Sequence, residues 1–343
     1  MGKQISILIP TYNRAHLIKE TLNSLVQQTY KHWECIVVDD HSNDHTQEVV
    51  EEYIAKDARF QYYKRPNNKP KGANACRNFG IEKSSSDYII FLDSEDFLSA
   101  DCLKDRMEAV EKHPTKDGLI FTMERFPNRE NQHNTINKDP KETPDTTTYL
   151  KMFLAHQLPW AITCPIWKKE ALQAIGGFDE SLQRLQDVDL AIRLLLNNMQ
   201  VERIQKTDCY YKIDKTGEAK YKDIKFIKKA VKSFIPFIDT TLKNIENRSD
   251  TEELKTYVKS SVYIFLKNYI FPNHDELHHE KKELYKVVKQ HKLCSKKEFR
   301  YFWILKSLIT LKLQTVKGIG VHKFTSKIKN HFLKTYELIQ EVT

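Results

Sequence analysis

A chain of 343 residues with 40% hydrophobic and 29% charged side chains can bury at least one full core, which excludes disorder throughout. The 9 Gly and 11 Pro exclude collagen-like and low-complexity architecture, and a mean hydropathy of -0.60, with no apolar run near about 18 residues, excludes a spanning helix. The formal net charge of +9 is unevenly placed: residues 221–343 hold 25 Lys/Arg against 13 Asp/Glu, whereas residues 1–220 hold 30 against 33.

Five short apolar or β-branched runs, Ile5–Ile9, Glu34–Val38, Phe60–Lys64, Tyr88–Leu92 and Leu119–Met123, read as strands. Between the first two, Leu17, Thr21, Leu22, Leu25 and Val26 share one helical face. Asn43 or Asp44 can cap a helix through Val49, Val50, Tyr53 and Ile54, and further helices are expected at 73–83 and 101–113, the last ended by Pro114. This alternation is the pattern of βαβ units and predicts an α/β fold with a mainly parallel sheet flanked by helices. From Phe126 to Thr148, Pro127, Pro140, Pro144 and three consecutive threonines predict a long loop. An apolar stretch at 161–167, a helix at 168–175, the Gly176-Gly177 break and a helix at 187–197 follow. Beyond about Lys215 glycine becomes scarce and Lys-rich helical patterns run onward, so the chain is expected to divide into residues 1–215 and a basic α-helical domain at 216–343. The six cysteines, Cys35, Cys76, Cys102, Cys164, Cys209 and Cys294, contain no C-x-x-C pair and are expected to be reduced and mostly structural. No charged leader precedes the first strand, which predicts a cytoplasmic protein.

In open α/β sheets ligands bind beyond the carboxyl ends of the strands. Here those ends carry Pro10-Thr11-Tyr12-Asn13-Arg14, Asp39-Asp40-His41-Ser42-Asn43-Asp44 and Asp93-Ser94-Glu95-Asp96. No G-x-G-x-x-G follows the first strand, so a nicotinamide dehydrogenase is not indicated. A crevice lined by carboxylates holds a diphosphate only with a cation between the like charges, and hard carboxylate oxygens suit Mg²⁺ or Mn²⁺. In extended geometry Asp93 and Glu95 point to one side, with Asp96 able to swing toward the same ion. Taken alone, such acids also serve as caps of a following helix.

The blocks SILIPTYNR, IVVDDHSNDHT, KGANACRNFGI, DYIIFLDSEDFL and IGGFDESLQRLQDVDLAIRLL, in this order, resemble the inverting family 2 glycosyltransferases of GT-A fold, bacterial surface-glycan type, over roughly residues 4–200. The resemblance implies a nucleotide-sugar-binding part at 1–125 and an acceptor-side part at 126–215. It implies that Pro10, Thr11 and Tyr12 line the base and ribose pocket, that Asp40 hydrogen-bonds the nucleoside, and that Lys71, Gly72 and Arg77 lie near the donor. Asp93, Ser94, Glu95 and Asp96 match the Asp-x-Asp-type segment for sugar, ribose and metal, with Asp96 and Glu95 on a Mn²⁺ or Mg²⁺ ion. Asp187 stands where the family has its catalytic base. Two departures are that the middle acid is Glu95, one methylene longer than the usual Asp, and that the residue before the base is Gln186. Asp189 is a less favoured base, Asp179 reads as a turn residue and Arg193 as an ion-pairing partner near the base. An acid opening a helix, taken alone, is more often a cap or a dipole partner.

The implied activity is inverting, metal-dependent transfer of a hexosyl or N-acetylhexosaminyl group from a nucleotide diphosphate donor, a UDP-sugar, to a hydroxyl of a glycan or lipid-linked acceptor in bacterial polysaccharide synthesis. Two alternatives stand beside it: a nucleotidyltransferase using the same carboxylates and metal, and a basic binding module on an inactive transferase domain. The tail reads three ways. Tyr301, Ile304, Leu305, Leu308 and Leu311 form a stripe beside Arg300, Lys306 and Lys312, suiting peripheral contact with an anionic membrane on its inner cytoplasmic face. The same stripe suits an ordinary core-facing helix, and the charge also suits an anionic acceptor polymer. No nucleic-acid-binding module is recognisable, so nucleic acid is not expected as a partner. His274 and His278 share the spacing of a helical metal pair, but a solvated helix explains them better.

Overall fold

The computed structural model describes residues 3–126, 144–212, 223–311, 313 and 321–334. Most of the loop expected between Phe126 and Thr148, and Lys312 of the tail stripe, lie outside the described residues. The chain separates into two compact units, Met1–Thr146 with Leu158–Lys215, and Thr147–Gln157 with Thr216–Thr343.

The first unit is built on a sheet in the order β3-β2-β1-β4-β7-β6-β8-β5. Strands β1 (Ile5–Thr11) and β2 (Trp33–Asp39) are buried at every residue, the mark of parallel strands covered on both faces, and their sequences are accordingly continuous apolar runs. With β3 (Phe60–Lys64) and β4 (Tyr88–Phe91) they form a wholly parallel half. The crossover helices are α1 (Ile18–Val26), α2 (Thr46–Ile54) and α3 (Ala73–Lys83), and α4 (Cys102–Lys112) follows β4 and the two-residue β5 (Phe97–Leu98). Their apolar residues face the sheet, as Ile18, Leu22 and Leu25 of α1 illustrate.

Beyond β4 the sheet is mixed. Strand β7 (Pro165–Lys168) runs antiparallel to both β4 and β6 (Gly118–Phe126), and β5 is antiparallel to β8 (Val201–Lys212). The expectation of a mainly parallel sheet holds, since β6 and β8 pair in parallel and only β7 and β5 run against the other strands; those two reversals are not written in the sequence, because an apolar run records burial and not strand direction. Strands β5 and β8 escape a reading by sequence for the same kind of reason: β5 has two residues, and β8, VERIQKTDCYYK, is largely polar and edged with half-exposed positions. Its Asp208 is instead a fully buried partner of Arg106 in α4, with Arg106 Nη2 also donating to Thr163 O at 3.0 Å. Helices α6 (Lys169–Ala174) and α7 (Gln186–Leu196) complete the unit.

The second unit is helical: α8 (Ile224–Ile245), α9 (Thr251–Phe265) running into a π-helical turn (Leu266–Ile270), α10 (His278–Gln290), α11 (Lys296–Thr310) and α12 (Val321–Phe332). Residues 147–157, which carry most of α5 (Thr146–Leu154), belong to it, with Ser261 Oγ donating to Leu154 O and Lys151 paired with Glu253. Ile227, Val231, Phe234, Ile238, Leu242 and Ile245 repeat at three- and four-residue spacing and are buried, giving α8 a single apolar stripe. Phe234 stacks on Phe265 at 3.6 Å, and Phe332 stacks on both Tyr263 and Phe302. Ser295 and Glu298 form a reciprocal capping box at the start of α11. His274 lies outside α10, which opens at His278, so the two histidines do not share a helix face. Among the described residues no helix is long and apolar enough to cross a membrane. The six cysteines carry no disulfide, and five are buried.

Candidate active site

The parallel half brings its strand ends level. Asp40 N donates to Thr11 O at 2.8 Å and Arg65 N to Asp39 O at 2.8 Å, so β1, β2 and β3 end side by side. The loops beyond β1 and β2 are cross-tied: Asn13 N donates to Ser42 Oγ (2.8 Å), Arg14 N to Thr46 Oγ1 (2.9 Å) and Ala15 N to Asp44 Oδ2 (3.2 Å), while Asn43 N donates to Asn13 Oδ1 (2.9 Å). Asn13 accepts a left-handed backbone (φ 53°) to make this turn, a conformation that Asn tolerates best after Gly. Pro10 and Thr11 are buried within β1, whereas Tyr12 is 40% exposed at its end. The Lys71 ammonium sits 4.0 Å from the Tyr12 ring centroid, an aromatic and cationic edge at the crevice. Gly72, next to Lys71, opens α3 at φ 143°, where L side chains are strained.

Asp40 is buried and its Oδ1 accepts from Arg65 Nε at 2.5 Å; Arg65 also donates to the carbonyls of Pro66 and Lys69. Sequence reasoning misses Arg65, whose only signal is a cation directly after a strand. Cys76 connects this pair to the next group. Burial pushes its thiol up to about 12, Asp40 adds to that rise, and both Arg65 and Arg77 oppose it.

The segment from Asp93 to Asp96 corrects one expectation. Asp96 N donates to Asp93 O at 3.0 Å, so these residues form a tight turn and not an extended strand. The acids diverge accordingly: Asp93 Oδ1 accepts from Arg77 Nη2 at 2.7 Å, Glu95 Oε2 lies 3.7 Å from Arg14 Nη2, and Asp96 turns inward to 4% exposure, with Ser94 buried beside it. Burial, then Asp93, then Glu95 push the Asp96 carboxyl well above the usual aspartate range, against a hydrogen bond from the Lys212 backbone. Thr11 Oγ1, Arg77 Nε and Asp96 Oδ1 are all buried without a protein partner.

Asp187 stands in the first turn of α7, half-buried, with Val188 N donating to its Oδ1 at 3.0 Å. Loss of water contact raises its carboxyl; Arg77 opposes this and Asp93 adds to it, so Asp187 shares one electrostatic neighbourhood with the Arg77–Asp93 pair. Its approach is held from α3: Asn78 Oδ1 accepts from Phe178 N (2.8 Å), and Asn74 Nδ2 donates to Asp179 O (2.7 Å) and Leu182 O (3.1 Å). The neighbouring acids are committed elsewhere. Asp189 is buried against Arg193 at 2.7 Å, with Arg193 also donating to Ile175 O, and Asp179 Oδ1 accepts from Ser181 N and Oγ in a turn.

A divalent ion can be tested against these residues. Among the described residues no three Asp, Glu, His or Cys side chains form a cage. What the crevice offers is a buried carboxylate with one unpartnered oxygen, crowded by two further carboxylates that a cation would relieve. That donor set fits Mg²⁺ or Mn²⁺, which use one or two carboxylates and take their remaining oxygens from phosphate and water. A model of glycosyl transferase family 2 matches residues 6–173, the stretch that contains these strand ends.

The matched region belongs to glycosyl transferase family 2. A GalNAc(5)-diNAcBac-PP-undecaprenol beta-1,3-glucosyltransferase of Campylobacter jejuni is 34% identical over 105 residues, 31% of this chain and 34% of that one. The chain spans well under half the length of the first curated glycosyltransferases it matches. The fold is of GT-A type. S. aureus TarS 1-349, solved with UDP-GlcNAc, aligns with a TM-score of 0.64 at 20% identity, covering 96% of this chain and 89% of that one. The mannosyltransferase PcManGT of Pyrobaculum calidifontis, solved with GDP-Man and Mn²⁺, aligns with a TM-score of 0.54 at 12% identity, covering 97% and 85%.

Proposed function

We propose that this family 2 domain transfers a hexosyl or N-acetylhexosaminyl group from a UDP-sugar to a hydroxyl of a glycan or lipid-linked acceptor, with inversion, in bacterial polysaccharide synthesis. The observation that carries the reading is the buried Asp96, with one oxygen unpartnered, beside the group formed by Arg77, Asp93 and Asp187. Asp187 takes the proton of the acceptor hydroxyl as that oxygen attacks the anomeric carbon. Loss of water contact raises its basicity, which favours that transfer, while the Val188 backbone N–H and then Arg77 oppose the rise. Tyr12 and Lys71 supply a stacking edge for the base, the Arg65-clamped Asp40 presents its second oxygen to the nucleoside, and Gly72 lets the backbone come close. Asp96 with Glu95 would hold Mn²⁺ or Mg²⁺ together with the donor phosphates, where the ion supplies positive charge for the departing nucleoside diphosphate. The names of the Campylobacter enzyme and of the TarS complex support the acceptor and donor classes. The basic helical unit makes peripheral contact with an anionic membrane in this reading.

Donor turnover with a panel of nucleotide sugars and Mn²⁺ tests it. The expected result is release of UDP, and loss of metal-dependent UDP affinity in Asp96→Ala. Release of a nucleoside monophosphate would mark nucleotidyl transfer, and unchanged affinity in Asp96→Ala would remove Asp96 from the metal.

A further inference from the structure

The stripe that suits either a membrane or a core is partly internal: Leu305 is 2% exposed, and Tyr301, Ile304 and Leu308 are half-buried. A different surface of the same helix is open. Trp303 is 69% exposed, while Trp33, Trp160 and Trp167 are all 3% exposed or less. Arg300, three residues before Trp303, is exposed, and Lys306, three residues after it, is half-buried. Helix α10 packs beside α11 through Tyr285 and Phe299, at 5.3 Å between ring centroids. On α10, Lys282, Lys286 and Lys289 fall at the i, i+4, i+7 spacing, are all exposed, and line a depression of about 630 Å³ with Tyr285 and Gln290. Among the described residues none of Lys282, Lys286, Lys289, Arg300 and Lys306 is within ion-pair reach of a carboxylate, and the acids that open the two helices, Glu280 and Glu298, are buried. The cations press on one another across the helix pair: Lys282, Lys281 and Lys306 together lower the basicity of His278, and burial, then Lys306 and Lys282, do the same to Lys281.

We infer that the outer face of the α10–α11 pair is a docking surface for an anionic lipid bilayer, with Trp303 inserted at the headgroup level and Lys282, Lys286, Lys289, Arg300 and Lys306 over the lipid phosphates. The inference deepens the membrane part of the proposed function by naming the surface, and is independent of the sugar chemistry. Charge complementarity selects the partner: an uninterrupted set of cations calls for a dense anionic surface. The lone exposed indole separates a bilayer from an acidic polymer, because Trp favours the interface between water and hydrocarbon, which a soluble polyanion does not have.

The full-length protein tests this by co-sedimentation with phosphatidylcholine vesicles and with mixed phosphatidylserine–phosphatidylcholine vesicles, while tryptophan emission is recorded. Binding is expected only to the mixed vesicles and to weaken as salt rises. A blue-shifted emission, quenched by brominated lipid, is expected in wild type and absent in Trp303→Phe. Lys282→Gln and Lys286→Gln should each weaken partitioning about fivefold, at the usual worth of one cation near an anionic leaflet. Trp303→Ala should lose vesicle binding while keeping turnover of a soluble acceptor. Absence of binding at low salt overturns the membrane reading as a whole. Vesicle binding with unchanged emission, indifferent to these variants, overturns this surface alone, as does tighter binding to an acidic polysaccharide with Trp303 still in water.

Discussion

Asp187 and Asp96 show how one residue type meets two electrostatic settings in one crevice. Both carboxyls are raised by loss of water, but Asp187 keeps an opposing cation in Arg77, whereas Asp96 faces only further negative charge from Asp93 and Glu95. For Asp187 as a base, the acidic limb of the kcat profile should lie above the ordinary aspartate value of about 3.9. Since Arg77 lowers the Asp187 pKa, Arg77→Met should move that limb to still higher pH; a limb that stays in place would separate the two residues. For Asp96 the sign runs the other way in stability. A carboxyl raised in the folded state binds protons more tightly than in the unfolded chain, so the metal-free protein loses stability as pH rises through the unfolded value. At neutral pH Asp96→Asn should therefore raise the melting temperature in the presence of a chelator, and a lower one would contradict the burial cost. Asp96 is legible in the sequence as an acid placed just after a strand, and Asp187 through the resemblance of the block that contains it. Arg65 is not, because a cation after a strand has no spacing that marks it as the clamp of Asp40.

At the scale of elements, the site depends on contacts between segments far apart in sequence. Helix α3 holds the turn before α7 through Asn74 and Asn78, and Gly177 is the close approach in that contact: a Cβ there would collide with Asn78 Oδ1, on a backbone with φ of +70°. Gly177→Ala should cost about 2 kcal/mol in chemical denaturation and lower kcat by displacing the start of α7. The Gly176-Gly177 break is legible in the sequence, but its partner on α3, distant along the chain, is not. The fully buried Arg106–Asp208 pair is the clearer case, since it joins α4 to a strand too polar to be seen as one. Arg106→Leu alone should destabilise by about 3–5 kcal/mol by leaving Asp208 buried and unpaired, and the double variant Arg106→Leu/Asp208→Leu should recover most of that loss. Equal destabilisation of the single and double variants would count against a charge-pairing role.

For the molecule as a whole, the division of charge is legible along the chain: a slightly acidic first part and a strongly basic last third. The parallel half of the sheet is legible too, because continuous apolar runs such as SILIP and CIVVD record burial on both faces. The reversal at β7 and the transfer of residues 147–157 to the helical unit depend on where the chain goes after leaving a strand, which periodicity does not encode. The central claim is that acids from distant stretches meet in one crevice with Asp187 as the base. Its most direct test is the turnover of Asp187→Asn with a UDP-sugar, Mn²⁺ and acceptor, measured alongside UDP affinity. The account predicts a fall in kcat of about 10²–10⁴-fold with UDP affinity retained; a wild-type kcat in that variant would contradict it.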